Sequence, residues 1–181
     1  DGLICICPSQ TADFKMRMFN ADGSEGEMCG NGIRCLGKYV YDRGLTGKRE
    51  LIVETAAGLR TLELLVENGR VASVRVDMGC PQVGEPLELM AAGKSWTITP
   101  VSMGNPHGVL FVDRPEALDL EGLGPQFEHH PAFPQGINTE FVACPAPARL
   151  TIRVWERGSG ATLACGTGAC AALAAAVVQG R

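Results

Sequence analysis

The sequence has no excess of positive charge. Its 16 lysines and arginines are outweighed by 20 aspartates and glutamates, a formal net of −4, so a basic nucleic-acid-binding face is not expected. Long apolar runs are missing as well. The richest stretch, residues 161–178, is interrupted by Gly166, Thr167 and Gly168. It falls short of the roughly 18 apolar residues of a membrane span, so no membrane association is expected. The marks of disorder are absent too. Hydrophobic residues make up 45% and charged residues 20%, the balance of a chain that builds a core. No signal-peptide pattern opens the sequence at Asp1, and the cytoplasm is the expected compartment.

The 181 residues suit one ordinary domain or two small ones. The 23 glycines and 11 prolines predict many turns and short elements. Eight cysteines stand at 5, 7, 29, 35, 80, 144, 165 and 170. A disulfide framework belongs to short secreted chains with thin cores, and this chain is apolar enough to need no staple. Structural zinc favours cysteine pairs with two to four residues between them. Cys29 and Cys35 lie outside that range, as do Cys5 and Cys7, and Cys165 and Cys170 only reach its upper limit, so none fits well. Reduced thiols remain, some inert and some chemical. Cys5, Cys7, Cys35, Cys80, Cys144 and Cys170 read as plain thiols. His129 and His130 are adjacent, a spacing that rarely chelates one metal, and read as a solvated loop. No metal site is expected.

The chain repeats itself. Residues 14–32, FKMRMFNADGSEGEMCGNG, align without a gap with residues 150–168, LTIRVWERGSGATLACGTG, at an offset of 136. Arg17 matches Arg153, Cys29 matches Cys165, Gly30 matches Gly166 and Gly32 matches Gly168. Phe14–Met18 and Leu150–Val154 alternate with period two and predict half-buried strands. A polar, glycine-rich loop follows each, then C-G-x-G and a helix. In the first copy Ile33, Leu36, Val40 and Tyr41 recur at helical spacing, with Gly44 as C-cap. In the second, Ala169–Val178 is so small and apolar that burial all round is predicted. Each repeated cysteine therefore precedes a helix N-terminus.

The remainder predicts strands at 51–53, 59–66, 71–78, 96–103, 109–113 and 137–143, with Asn68-Gly69 as a hairpin turn. Residues 115–133 predict a helix and loop. The class is α+β: two pseudo-symmetric units, each a curved, mainly antiparallel sheet around a central helix, at 1–82 and 83–181. Mapped by the offset, the strands at 50–79 have no counterpart in the second unit, and the segment from Val101 has none in the first. On this mapping each unit is expected to be incomplete, by roughly 35 residues before the first and roughly 30 after the second.

A helix N-terminus presents unpaired N–H groups and a positive dipole end. It stabilises a thiolate and binds a carboxylate, and the glycines let a ligand approach the backbone. Two such sites facing one carbon make a two-base racemase: one thiolate removes a proton from one face, the opposing thiol returns one to the other. Neither metal nor organic cofactor is required. Hydrogen-bond donors would support the charge that develops.

Asn20-Ala21-Asp22-Gly23-Ser24, Met28-Cys29-Gly30-Asn31-Gly32-Ile33-Arg34, Gly104-Asn105-Pro106-His107, Gly136-Ile137-Asn138-Thr139-Glu140, Glu156-Arg157-Gly158 and Ala164-Cys165-Gly166-Thr167-Gly168 together resemble diaminopimelate epimerase. The resemblance spans essentially the whole chain. It implies a cofactor-independent exchange of LL-2,6-diaminopimelate and its meso isomer, in lysine and peptidoglycan precursor synthesis. It implies Cys29 and Cys165 as the catalytic pair, Cys165 accepting and Cys29 donating in the LL-to-meso direction. Backbone donors for the α-carboxylate would come from Gly30-Asn31 and Gly166-Thr167. Asn20, Asn105, Asn138 and Arg157 would hold the distal amino-acid end. Glu156 would hold its ammonium and, with His107, tune the cysteines. A zwitterionic end needs such an arginine and carboxylate. A homodimer is the one assembly to consider. The family's N-terminal Gly-Asn-Asp segment and a further substrate-contacting glutamine have no counterpart here.

Rival readings are specific. Residues 166–171 fit the dinucleotide pattern G-x-G-x-x-A, but no strand stands directly before them. A phosphate-cradling loop with Cys29 as nucleophile and Arg34 nearby makes a hydrolase, and leaves the second copy unexplained. Proline racemase-like and phenazine-biosynthesis-like isomerases resemble this architecture, although the Cys29-Gly30-Asn31 and Glu156-Arg157-Gly158 signatures favour diaminopimelate. A non-catalytic amino-acid-binding module would keep the same anion-binding helix starts.

Overall fold

The computed structural model describes residues 2–181. The chain divides into two compact units, one ending at Gly79 and the other beginning at Cys80. The first contains β1 (Leu3–Cys7), β2 (Phe14–Phe19), β3 (Glu25–Gly26), α1 (Gly30–Asp42), β4 (Glu50–Thr55), β5 (Gly58–Glu67) and β6 (Arg70–Val76). Its sheet runs β1-β2-β4-β5-β6, with β3 added to β2. Only the β2–β4 pair is parallel among the described pairs of this sheet, because α1 carries the chain across between them. β5 and β6 are joined at Asn68 (φ 50°) and Gly69 (φ 77°), the left-handed pair that a tight hairpin with native twist demands.

Helix α1 is amphipathic, and the curved sheet closes on its apolar face. Ile33, Leu36 and Val40 are buried against Leu51 and Val53 of β4, Leu62 and Leu64 of β5, and Val71 of β6. Each such side chain contributes about 1.5–3 kcal/mol of transfer free energy. Gly37 lets helix and sheet approach closely: a Cβ there would lie 3.0 Å from both Leu62 and Leu64. The helix is capped at Arg43, one position before the expected Gly44 (φ 70°), with Leu45 N–H closing back to Val40 C=O at 2.9 Å. That is the left-handed helix stop glycine favours.

The second unit contains β7 (Gln82–Val83), β8 (Leu87–Ala91), β9 (Lys94–Ser102), β10 (Pro106–Phe111), a single 3-10 turn at Pro115–Ala117, α2 (Leu120–Glu128), β11 (Asn138–Ala146), β12 (Arg149–Glu156), β13 (Gly160–Thr162) and α3 (Gly166–Val178). Its sheet runs β13-β12-β11-β10-β9-β7, and β8 pairs with β9. β10 and β11 are parallel, with α2 on the connection between them. Trp96, Phe127 and Phe141 meet edge to face under α2. The unit begins at Cys80 because Gln82 and Val83 already pair with Ser102 and Val101.

Helix α3 does not match the expectation of burial all round. Ala171, Ala172, Ala175 and Ala176 are buried, but Leu173, Val177 and Val178 are more than half exposed. The helix presents its small side chains to the sheet, which brings the backbones close, and turns its larger ones outward. None of the helices among the described residues is long and apolar enough to cross a membrane.

The 136-residue offset holds in three dimensions. Shifted by it, the bounds of α1 become the bounds of α3, and the cap residue Arg43 becomes the cap residue Gln179. Gly180 (φ 67°) then repeats Gly44. All eight cysteines are free.

Candidate active site

Each repeated cysteine is the N-cap of its helix. Cys29 has φ −132° and ψ 106°, Cys165 φ −119° and ψ 116°, both extended. Each Sγ accepts a backbone N–H from the third residue on, Gly32 or Gly168, at 3.3 Å. This is the geometry of a serine or aspartate cap with sulfur in the oxygen's place. The sequence allows it because Gly32 and Gly168 leave room. A Cβ at Gly32 would come within 2.0 Å of Ile4 Cδ1, and one at Gly168 within 2.5 Å of Glu140 Oε1.

The surroundings of the two sulfurs differ. Near Cys29, Asn31 accepts from Arg34 Nη2 at 2.6 Å. Asn20 donates to Ser24 Oγ at 3.0 Å, and Ser24 Oγ donates to Asp22 at 2.6 Å. This loop is held to β2 by the Arg17–Glu25 ion pair, whose two hydrogen bonds are 2.8 and 2.9 Å. Around Cys165 the polar groups are buried and chained. Thr167 Oγ1 lies 3.4 Å from Cys165 Sγ. Asn105 Nδ2 donates to Thr167 Oγ1 at 3.3 Å, and Asn105 Oδ1 is 3.1 Å from His107 Nε2. His107 Nδ1 is 2.7 Å from Glu140 Oε1, and both of those side chains are fully buried. The candidates Asn105, His107, Cys165 and Thr167 thus join one network, and Gly166 opens the helix they reach.

Burial pushes the Cys165 thiol up to about 12; the Glu156 and Glu140 carboxylates push the same way, while the Thr167 hydroxyl and Gly168 N–H oppose them. This reverses the expected lowering at a helix start: desolvation outweighs the dipole. At neutral pH and without ligand Cys165 is therefore a thiol. Burial also raises Glu140 above the ordinary carboxylate range, against the pull of His107. Cys165 lines a cavity of about 460 Å³ together with Glu140, Gly168, Leu120, Ile152, Val154 and Leu163 among others. Asn105, Asn138, Glu156 and Arg157 are not part of that lining.

Asn138 spends its amide on the backbone, donating to Pro106 C=O at 2.7 Å and accepting from Arg157 N–H at 3.0 Å. It braces the two segments that carry His107 and Arg157. Glu156 accepts from Thr162 Oγ1. The Arg157 guanidinium donates to Gln135 C=O at 3.1 Å. Three successive N–H groups in this turn are anchored: Arg157 to Asn138 Oδ1, Gly158 to Glu128 Oε1 at 2.8 Å, and Ser159 to Glu156 C=O at 3.0 Å. Glu128 also accepts from the Trp155 indole at 2.6 Å. Sequence reasoning missed Glu128 and Glu140. Neither stands in an apolar stretch, so no local pattern marks them, although glutamate is seldom buried without a partner.

A family model for diaminopimelate epimerase matches residues 1–84 and 99–181. The diaminopimelate epimerase of Acetivibrio thermocellus is 53% identical, with 99% of this chain and 69% of that protein aligned. That of Desulfitobacterium hafniense is 52% identical, over 100% of this chain and 69% of that protein. Among solved structures, a probable proline racemase from Agrobacterium radiobacter K84 superposes with a TM-score of 0.78 at 19% identity, covering 99% of this chain and 61% of its own. A phenazine biosynthesis protein from Bacillus anthracis gives 0.65 at 20% identity, covering 96% and 64%. At those identities the similarity is one of fold. The chain spans less than two thirds of the length of these two solved chains.

Proposed function

Since the chain belongs to the diaminopimelate epimerase family, we propose that it serves the interconversion of LL- and meso-diaminopimelate by proton transfer at the α-carbon between Cys29 and Cys165. The observation that carries this reading is the twice-built helix start. Two cysteines 136 positions apart share one cap geometry, each Sγ on a glycine N–H at 3.3 Å. A single structural thiol gives no reason for a second copy.

In this scheme a thiolate takes the α-hydrogen as a proton. The C–H electron pair moves toward the α-carboxylate, and the opposing thiol gives its proton to the other face of the carbon. The first thiolate becomes a thiol and the second thiol a thiolate, so the reverse reaction needs no reset. The N–H groups that open α1 and α3 have no intrahelical acceptor. They are suited to the carboxylate charge that grows in the transition state. Cys165, pushed up to about 12, rests as a thiol in the ligand-free protein and must lose that proton before it can accept one from substrate. Of the residues the resemblance offers for the distal zwitterion, Asn20, Glu156 and Arg157 would select it, while Asn138 braces the turn that carries Arg157 and Asn105 is tied into the Cys165 network. No step in the scheme calls on a metal or an organic cofactor.

The test is exchange of the α-hydrogen of diaminopimelate with deuterated water, followed by NMR. Cys29→Ala and Cys165→Ala should each lower epimerisation by about 10²–10⁴-fold, the usual worth of a positioned acid or base. Full turnover in both variants would overturn the two-thiol scheme.

A further inference from the structure

The residue with the least explanation so far is Glu140. Its carboxyl is fully buried on β11, and one oxygen, Oε2, has no hydrogen-bond partner in the structure. An unpartnered buried carboxyl oxygen is costly, and its retention asks for a reason. The carboxyl is also wedged against the first turn of α3, since a Cβ on Gly168 would lie 2.5 Å from Oε1.

The hydrogen-bond chain from Glu140 has a direction. An amide oxygen only accepts, so His107 Nε2 donates to Asn105 Oδ1 across 3.1 Å. His107 can keep a hydrogen on Nε2 in two ways. Either Nδ1 also carries one and donates it to a Glu140 carboxylate, or Nδ1 is bare and receives the proton of a Glu140 carboxylic acid. In both, the acid at 2.7 Å makes the Nε2 hydrogen possible, and the pair has no net charge. Asn105 is then fixed with Nδ2 toward Thr167 Oγ1 at 3.3 Å. With its lone pair so used, the Thr167 hydroxyl hydrogen is left for Cys165 Sγ at 3.4 Å.

We propose that Glu140 is a positioning residue for Cys165, acting through His107, Asn105 and Thr167 to hold the Thr167 hydroxyl as a donor to the sulfur. From His107 Nε2 onward every hydrogen in the chain then points toward Sγ, where the last one favours the thiolate. Without the acid, a neutral His107 with its hydrogen on Nδ1 would set a bare Nε2 against Asn105 Oδ1. The amide would turn over, its oxygen would take the Thr167 hydroxyl, and Cys165 would lose a donor. The other ionisable groups facing this sulfur are Glu156 on β12 and, through the chain, His107 on β10. Arg153, which lines the same cavity, is committed to the Leu118 carbonyl at 2.8 Å. That Cys165 transfers a substrate proton rests on the function proposed above; the effect on its sulfur does not.

The experiment is site-resolved alkylation of Cys165 with iodoacetamide at fixed alkaline pH, read by peptide mass spectrometry with the exposed Cys35 as internal standard. Loss of one hydrogen bond to the sulfur should slow Cys165 about two- to tenfold in Glu140→Leu, in Thr167→Val and in Glu140→Asp. The first leaves Nδ1 without a partner; the last keeps the charge but withdraws the carboxyl from Nδ1. Glu140→Gln, whose amide can still donate to Nδ1, should retain the wild-type rate. The double variant Glu140→Leu/Thr167→Val should be no slower than Thr167→Val alone, because both act on one bond. If Glu140 acted only through its charge, Glu140→Leu would speed alkylation and Glu140→Asp would leave it unchanged. Either result, or additive effects in the double variant, overturns the proposal. Should Glu140→Leu fail to fold, the cycle of Glu140→Asp with Thr167→Val decides. Deuterium exchange on diaminopimelate separates the two readings. Coupled alkylation without exchange rejects the epimerase function alone; exchange without coupling rejects the relay alone.

Discussion

The starts of α1 and α3 share a backbone and differ in what surrounds it. Both sulfurs cap a helix and accept a glycine N–H at the same 3.3 Å. Yet in the chain just before Cys29 the polar side chains Asn20, Asp22 and Ser24 form short links among themselves on an exposed loop. Cys165 meets a buried chain that ends on a fully buried acid. The helices behind them diverge as well. α1 is anchored by large side chains, α3 by alanines. A repeat can therefore conserve a helix-start geometry while each copy sets the surroundings of its sulfur separately. The two-thiol scheme proposed above needs that independence, since at any moment one thiol would hold a proton and the other lack it.

The sharpest attempt to break this comparison is the pair of cysteine variants. Equal losses of deuterium exchange, about 10²–10⁴-fold each, would place both starts in one reaction; a loss confined to one would reduce the other to a scaffold. The helices come next. Leu36→Ala, at a site 2% exposed, should cost about 2–5 kcal/mol in urea unfolding. Leu173→Ala on the outward face of α3, 57% exposed, should stay within about 0.5 kcal/mol. Equal costs would erase the distinction between the two helices. Smaller is the contrast between the glycines. Gly32→Ala meets the flexible tip of Ile4, whereas Gly168→Ala meets the Glu140 carboxyl. Overpacking of about 1–3 kcal/mol is expected at both, but only Gly168→Ala should also slow alkylation of Cys165.

An effect confined to alkaline pH comes last. The Cys165 thiol titrates at about 12 in the fold against 9.0 as an ordinary thiol. The folded state thus keeps a proton that the unfolded chain gives up. The stabilisation is intact below about pH 9 and disappears as pH rises from there toward 12. Unfolding curves for Cys165→Ala should lose that part of the alkaline decline, and an unchanged decline would show that the sulfur is less desolvated than its setting implies.

Much of this was legible in the sequence for a physical reason: a glycine pattern that shapes a helix start is local. The C-G-x-G copies, the strand before each and the glycine after each helix all express constraints within a few residues. What escaped was non-local. β1 reads Leu-Ile-Cys-Ile-Cys, whose alternation is muted when thiols are not counted as buried. β8 reads Leu-Glu-Leu-Met-Ala, five good helix formers overridden by pairing with β9. The outward turn of α3 escaped because periodicity is silent when nearly every residue is apolar. Glu140 and Glu128 escaped because their partners, His107, Trp155 and Gly158, lie 33, 27 and 30 residues away. Proximity in the fold is the only trace they leave.

The turn from Glu156 to Ser159 has one more consequence. Its N–H groups are held by Asn138, by Glu128 and by its own first carbonyl. A free loop of this kind would surrender about 1–2 kcal/mol of backbone entropy per residue on becoming ordered around a ligand. Here those bonds form during folding, so under the proposed function a zwitterion reaching Arg157 would meet a turn already ordered and would lose no affinity to that step.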